Sequence, residues 1–371
     1  MDQKTPIPPK QATNSAPHGY TGRQTTHAIT THRNAITEQA EYGAHGRNGH
    51  TAVERAMREV SLGEDTIGQA AREQLAADGK RLRARLTVEA ARAVAPAAPT
   101  ADQDETTWAA AAVELIHQAS LVHDDLMDGD SERRGSEAAW RNYGADGAIL
   151  LGDHLIAAAF EAAARADNTP NLVTRIAVAV RTAISGQARE IEAVTPGDAA
   201  NAVAAYETRV RKKSGRLMAL PVEAGLITAG ADAATVEAAG RAWSALGAAY
   251  QIGDDVSELE GRKTGRSRQS DLIQRRLSAP VAHYLTDAGP DDWCDLQAFL
   301  GQTPGDNEQV GYWLRQLLAS DAPRRCRQHA EALIVEARAA AAPLPPALQD
   351  LLEATIQQIR PPQTATQVTA S

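Results

Sequence analysis

Glu114-Leu-Ile-His117-Gln-Ala-Ser-Leu-Val-His123-Asp124-Asp125-Leu-Met-Asp128-Gly-Asp130-Ser-Glu-Arg133-Arg134-Gly135 joins an apolar helical run to a carboxylate cluster and then to an arginine pair at a turn. At ~100° per residue, a helix brings His117, Asp124 and Asp128 onto one face, as i, i+7 and i+11. Stacked carboxylates repel one another unless a cation lies among them. A solvated acidic face is the plainer alternative. Here the cluster ends a helix whose other residues are mostly apolar, which favours a bound metal ion.

The rest of the chain repeats the helical pattern. Its 371 residues are 43% hydrophobic but only 4% aromatic, and alanine runs are frequent. Alanine is the best helix former and has little strand preference, so the composition points to an all-α protein. Helical spacing is read over 52–60, 66–78, 80–94, 105–129, 145–166, 171–194, 200–227, 233–258, 271–286, 307–319, 323–341 and 346–359. Breakers fall between them at Pro96–Pro99, Gly135, Pro170, Pro196–Gly197, Gly230, Gly261–Gly265, Gly289–Pro290 and Pro343–Pro346. No strand alternation and no internal repeat is evident. One large helical bundle over 51–360 is the simplest architecture.

Residues 1–50 are rich in Thr, Gln, Asn, Pro and Gly, and are expected to be disordered, as are 361–371. The tail histidines His18, His27, His32, His45 and His50 match no ligand spacing. With 38 basic and 47 acidic side chains, the net charge of −9 gives no electrostatic basis for nucleic-acid binding. Cys294 and Cys326 cannot form a disulfide framework, and a reducing, cytoplasmic setting is expected. The N-terminus shows no signal-peptide pattern, and Asp153 and His154 interrupt the longest apolar stretch, Ala148–Phe160, so no membrane span is expected.

A second acidic cluster, Gln251-Ile-Gly-Asp254-Asp255-Val-Ser-Glu258, forms a single stripe at i, i+3, i+4 and i+7. Two all-oxygen clusters suit Mg²⁺, which prefers a few carboxylates together with phosphates and water. A polyanionic ligand would complete the site and would need cationic partners. Gly79-Lys80-Arg81-Leu82-Arg83, Arg133-Arg134-Gly135 and Lys212-Lys213-Ser214-Gly215 are candidates. Each could be a solvated patch on its own. Together with the acidic clusters they describe a diphosphate site.

Over residues 50 to 360 the chain resembles the trans-polyprenyl diphosphate synthases, the family that includes farnesyl and geranylgeranyl diphosphate synthases. The two acidic segments resemble its first and second aspartate-rich motifs. Gly79–Arg83, Glu114–His117, Gly152-Asp153, Gly186-Gln187 and Lys213-Ser214-Gly215 follow in the family's order. Asp271-Leu272 with Ser278 and Pro280 resembles a further segment. The departures are Glu258 for the usual Asp, Gly265-Arg266 for Gly-Lys, Glu137-Ala138-Ala139-Trp140 after the arginine pair, and Glu190 after Gly-Gln.

The resemblance implies the isoprenoid synthase bundle with a central cavity, and a homodimer. It implies a cluster of up to three Mg²⁺, with Asp124, Asp125, Asp128, Asp254, Asp255 and Glu258 as candidate ligands. Asp124, Asp128, Gln187, Lys213 and Asp254 would be catalytic. Lys80, Arg83, His117 and Arg134 would hold isopentenyl diphosphate. Arg133, Lys213, Ser214, Gln251 and Arg266 would face an allylic prenyl diphosphate. The small Ala119 and Ser120, one turn before Asp124, imply an open tunnel and a product of C20 or longer. A terpene cyclase or unusual coupling enzyme is the alternative, and a non-catalytic regulatory subunit a third reading. Retention of the isopentenyl diphosphate residues weighs against the second, and the intact first motif against the third.

Overall fold

The computed structural model describes residues 52–77, 79–95, 102–133, 135–166, 169–191, 201–262 and 269–359. The expected tails, 1–50 and 361–371, and the candidate residues Arg134 and Arg266 lie outside the described residues. Helix α1 covers 52–61. It is followed by α2 (Thr66–Ala76), α3 (Leu82–Val94), α4 (Asp102–Asp128), α5 (Ala139–Ala164) and α6 (Thr169–Ile191). Helices α7 (Ala202–Val210) and α8 (Arg216–Thr228) are joined by a π-helical segment, Arg211–Gly215. Then come α9 (Ala233–Leu259), α10 (Ser270–Ile273), α11 (Ala279–Asp287), α12 (Pro290–Leu300), α13 (Glu308–Ala319), α14 (Ala322–Ala341) and α15 (Pro346–Ile359).

The starts of these helices are written in the sequence. Asp65 accepts from the Gly68 amide at 2.7 Å, Asp232 from Thr235 at 2.8 Å, and Asn307 from Gln309 at 3.1 Å. Each satisfies an amide that has no intrahelical partner. Proline opens α11, α12 and α14, where its missing N–H costs nothing.

The 27-residue helices α4 and α9 run through the two halves of the core. Ala109–Ala112 on α4 are fully buried, and α4 packs on α5, α3 and α8. In the other half, α9 packs on α8 and α14 around the fully buried Trp243. Small side chains let the helix axes approach to the short end of the usual 8–10 Å range. Helix α8 touches both long helices, and residues near the C-terminal ends of both line one cavity. Helix α5 is long and apolar enough to cross a membrane, but Leu151, Leu155 and Ala159 bury that face in the bundle.

Three expectations are corrected. The helix read over 271–286 is two pieces, because Arg275 turns left-handed at φ 58° and Pro280 must start a new helix. Helix α12 was missed: Gly289–Pro290 starts a helix there, with Asp291 and Asp292 in its first turn. A short hairpin pairs Glu132–Arg133 with Ser136–Glu137 at the turn after α4.

Helices α7, α11 and α14 are tied by polar groups. His283 Nε2 lies 3.3 Å from His329 Nδ1, and His329 Nε2 lies 2.9 Å from Glu207. Burial, then the neighbouring His329 and Arg325, lowers the His283 imidazole to about 4. Its folded pKa is below the unfolded value of about 6.5, so its contribution is present above that pH and is lost as pH falls toward 4. The loss is about 3 kcal/mol, at ~1.36 kcal/mol for each unit between about 6.5 and 4. His283→Gln should therefore flatten the acid limb of stability, measured as urea midpoints at neutral pH and near pH 4.5. The same acid loss in both proteins would place that limb elsewhere.

Candidate active site

Helices α4 and α9 end at a shared cavity of about 360 Å³. Neither carries a basic residue in its last turn, and Asp124, Asp128, Asp254, Asp255 and Glu258 all lie near these two ends. A helix C-terminus already bears roughly half a negative charge, so acidic side chains there cost stability unless cations face them. Among the described residues, eight carboxylates and five Lys or Arg side chains line the cavity. The added acids are Glu132, Glu190 and Asp271; the bases are Arg83, Arg133, Arg209, Lys213 and Arg276.

The π-helical segment delivers the central cation. Single-turn π segments widen a helix locally and redirect its side chains. Here Lys213 Nζ reaches Asp124 at 3.1 Å and Glu190 at 3.3 Å. Glu190 is also 3.4 Å from Arg209. The segment is clasped from two sides by glycines. A Cβ on Gly186 would sit 2.8 Å from the Lys213 amide nitrogen, and one on Gly247 would sit 2.8 Å from Gly215 Cα. Any larger residue would push α6 or α9 off the segment that carries Lys213.

The electrostatics show which way the imbalance runs. Burial pulls the Lys213 ammonium down, but Asp124 and Glu190 overcome it and hold its pKa above the usual lysine value. Burial likewise pushes Glu190 up, but Lys213 and Arg209 outweigh it and keep its pKa low. Asp124 stays raised by burial, opposed by Lys213 and reinforced by Asp128. Asp271 is raised well above the carboxylate range, by burial and then by Glu258 and Asp255. Five cationic side chains do not offset eight carboxylates. An oxygen-rich donor set short of positive charge fits a hard divalent cation such as Mg²⁺.

Within the second cluster the roles divide. Asp255 is buried and accepts three bonds: from the Tyr206 hydroxyl at 2.6 Å, Gln251 Nε2 at 2.8 Å and the Ala279 amide at 2.9 Å. Ser214 Oγ donates to Gln251 Oε1 at 2.8 Å, so the π segment, α9 and α11 share one network. Glu258 accepts from the Asp271 amide at 2.8 Å. Asp254 lines the cavity between them.

Most residues read from sequence meet here, and a few do not. Asp125 does not line the cavity; one step round the helix from Asp124, it is buried and bonded to Arg133 Nε at 2.7 and 2.9 Å. This arrangement makes it the anchor of Arg133. Arg83 and His117 line the cavity 2.8 Å apart, whereas Lys80 is exposed and outside the lining. Ser120 lines the cavity, but Ala119 faces the core and is 1% exposed. Gln187 is also outside the lining, with its Oε1 buried and no hydrogen-bond partner. Glu114, quoted with His117, is structural: it faces the buried Arg81 at 3.6 Å. Sequence reading missed Arg209, Tyr206 and Arg276 as cavity or support residues. Arg275-Arg276 after Asp271-Leu272 was the available signal for the last of these.

Comparison with known proteins agrees with this geometry. Residues 64–317 match the family model described as Polyprenyl synthetase. The chain is 30% identical to nonaprenyl diphosphate synthase of Mycobacterium tuberculosis over 309 residues, covering 82% of this chain and 90% of that protein. It is 33% identical to a short chain isoprenyl diphosphate synthase of Methanocaldococcus jannaschii, covering 67% of this chain and 75% of that one. A solved polyprenyl synthase from Caulobacter crescentus, complexed with calcium and isoprenyl diphosphate, superposes with a TM-score of 0.73 at 28% identity, covering 85% of this chain and 94% of that one. With two carboxylate-tipped helices facing one cavity and a family model spanning most of the bundle, the chain belongs to the polyprenyl synthetase family of trans-prenyl diphosphate synthases.

Proposed function

We propose that the protein is a Mg²⁺-dependent, chain-elongating prenyltransferase. It joins isopentenyl diphosphate to an allylic prenyl diphosphate and releases a C20 or longer all-trans product. The observation that carries this reading is the joint lining of one cavity by the two acidic helix ends and by the Arg83–His117 pair. A cyclase acting on one diphosphate has no use for that second cationic corner.

Asp124, Asp128 and Asp254 would hold the metal, with Glu258 supporting it. When bound, it would offset the charge that builds on the allylic leaving group as the C–O bond ionises. Lys213, with Arg133 held in line by Asp125, stabilises the same charge. Gln251, fixed between Ser214 and Asp255, orients an allylic diphosphate oxygen. Arg83 and His117, with Arg134 as a further ligand read from the sequence, hold isopentenyl diphosphate so that its double bond meets the allylic cation. Positioning of this kind supplies up to ~7–11 kcal/mol in favourable cases. The released diphosphate takes the proton. The cytoplasm is the expected setting. A homodimer is part of this reading, and the exposed apolar Ile149 and Leu150 on α5 and Ile184 on α6 are side chains a partner subunit would cover.

Incubation of purified protein with Mg²⁺ and allylic diphosphates, with and without labelled isopentenyl diphosphate, tests this reading. Longer diphosphates should form only when both are present. A hydrocarbon formed without isopentenyl diphosphate would favour the cyclase reading.

Product length provides a sharper test. Ser120 is the small residue that faces the cavity one turn before Asp124, so Ser120→Phe places a ring in the path of the growing chain. Products should shorten by one or two five-carbon units, read by chromatography of the dephosphorylated alcohols. Ala119→Phe instead overfills the core, at about 1–3 kcal/mol of stability, and should leave product length unchanged. The opposite pattern would move the floor of the tunnel to the other side of α4.

A further inference from the structure

Arg276 occupies one carboxylate oxygen of Asp128, a residue proposed above to hold the cation. Its guanidinium bonds Asp128 Oδ1, while Asp271 lies 3.9 Å from its other end. Both side chains of the pair are largely buried, at 16% and 6% exposure. The preceding residue is built to aim it. Arg275 takes a left-handed φ of 58°, a conformation that costs energy for any residue but glycine. Its guanidinium donates to the Gly305 carbonyl at 2.9 Å and lies 4.2 Å from the Phe299 ring centroid. The Arg276 amide closes the turn onto the Asp271 carbonyl at 2.8 Å. A solvated surface arginine needs none of this scaffolding.

We propose that Arg276 is a displaceable counter-ion of Asp128, which makes cation binding at the first acidic cluster depend on diphosphate. The inference rests on the divalent-cation site proposed above. A divalent ion held by Asp128 would face the guanidinium at close range and repel it, so entry of the ion would displace Arg276 from Oδ1. Asp271 and Glu190 remain near it, but each already faces other groups. Diphosphate oxygens supply new charge-assisted acceptors for the expelled guanidinium. Ion and diphosphate therefore bind with positive coupling, and the coupling is reciprocal.

The test measures Mn²⁺ affinity by electron paramagnetic resonance, with and without inorganic diphosphate. In the intact protein diphosphate should tighten Mn²⁺ roughly tenfold or more, within the usual range of coupling. Arg276→Gln should bind Mn²⁺ alone several-fold more tightly, with a smaller response to diphosphate. Arg276→Lys, a weaker latch that keeps the charge, should fall between, and carries the comparison if the Gln variant does not fold. The gain should vanish when Asp128→Asn is added, because the latch acts through that carboxylate. Unchanged Mn²⁺ affinity in both Arg276 variants overturns the proposal, as does a gain that persists with Asp128→Asn, which would mark a general charge effect. Failure of the intact protein to take up Mn²⁺ even with diphosphate would overturn the cation site itself.

Discussion

Asp124→Ala is expected to lower kcat by on the order of 10³-fold, about 4 kcal/mol of transition-state stabilisation at ~1.36 kcal/mol per tenfold. Asp124 sits near the C-terminal end of α4, within 3.1 Å of Lys213, in a cavity where acids outnumber bases. Burial makes its carboxylate costly, as its raised pKa shows, and so its value to the protein lies in what it binds. Removing it should weaken cation affinity while leaving the fold intact, because Lys213 keeps Glu190 at 3.3 Å. The melting temperature should hold or rise slightly. Asp125→Asn gives the contrast. That side chain lies outside the cavity lining and anchors the cavity-lining Arg133, so cation affinity should be kept while the KM for diphosphate substrates rises. Full activity in Asp124→Ala, or equal loss of cation affinity in both variants, would sink the assignment of ligands.

Lys213→Ala should have the next largest effect, a fall in kcat of about 10²-fold or more, the scale seen when one donor to a developing charge is removed. Two consequences separate this role from a structural one. Without the ammonium, burial and Asp128 would raise Asp124 further. Cation binding requires the ionised carboxylate, so the acid limb of the activity profile should move to higher pH. Lys213→Arg keeps the charge and should restore that limb, with kcat only partly recovered because the guanidinium has a different shape. The melting temperature should fall in the Ala variant, since a partly buried Asp124 loses its nearest cation. If Lys213→Ala kept its kcat and its acid limb, the lysine would be serving only to tie α6 to the π segment.

Much of this protein is determined locally and was legible in the chain. Helical periodicity, alanine content and N-cap residues such as Asp232 and Asn307 act within a few residues, and they set the helices wherever they are undisturbed. Asp124 and Asp128, four residues apart, share a face on any helix, as Gln251, Asp254, Asp255 and Glu258 do. What the chain could not show is the partner of each charge. Asp125 differs from Asp124 by one residue and about 100°, and only the packing of α4 decides that one faces the cavity and the other Arg133. The same rotation separates Ser120 from Ala119. Asp255 reads as a ligand in sequence, but Tyr206 lies 49 residues away and bonds one of its oxygens only after α7 and α9 come together. Arg276 meets Asp128 across 148 residues, through a left-handed turn at Arg275 that local propensity disfavours. Local rules thus determine which residues are helical and which carry charge. Tertiary packing decides which charges meet, because ion pairs and hydrogen bonds act at about 3 Å, and only the folded chain sets that distance.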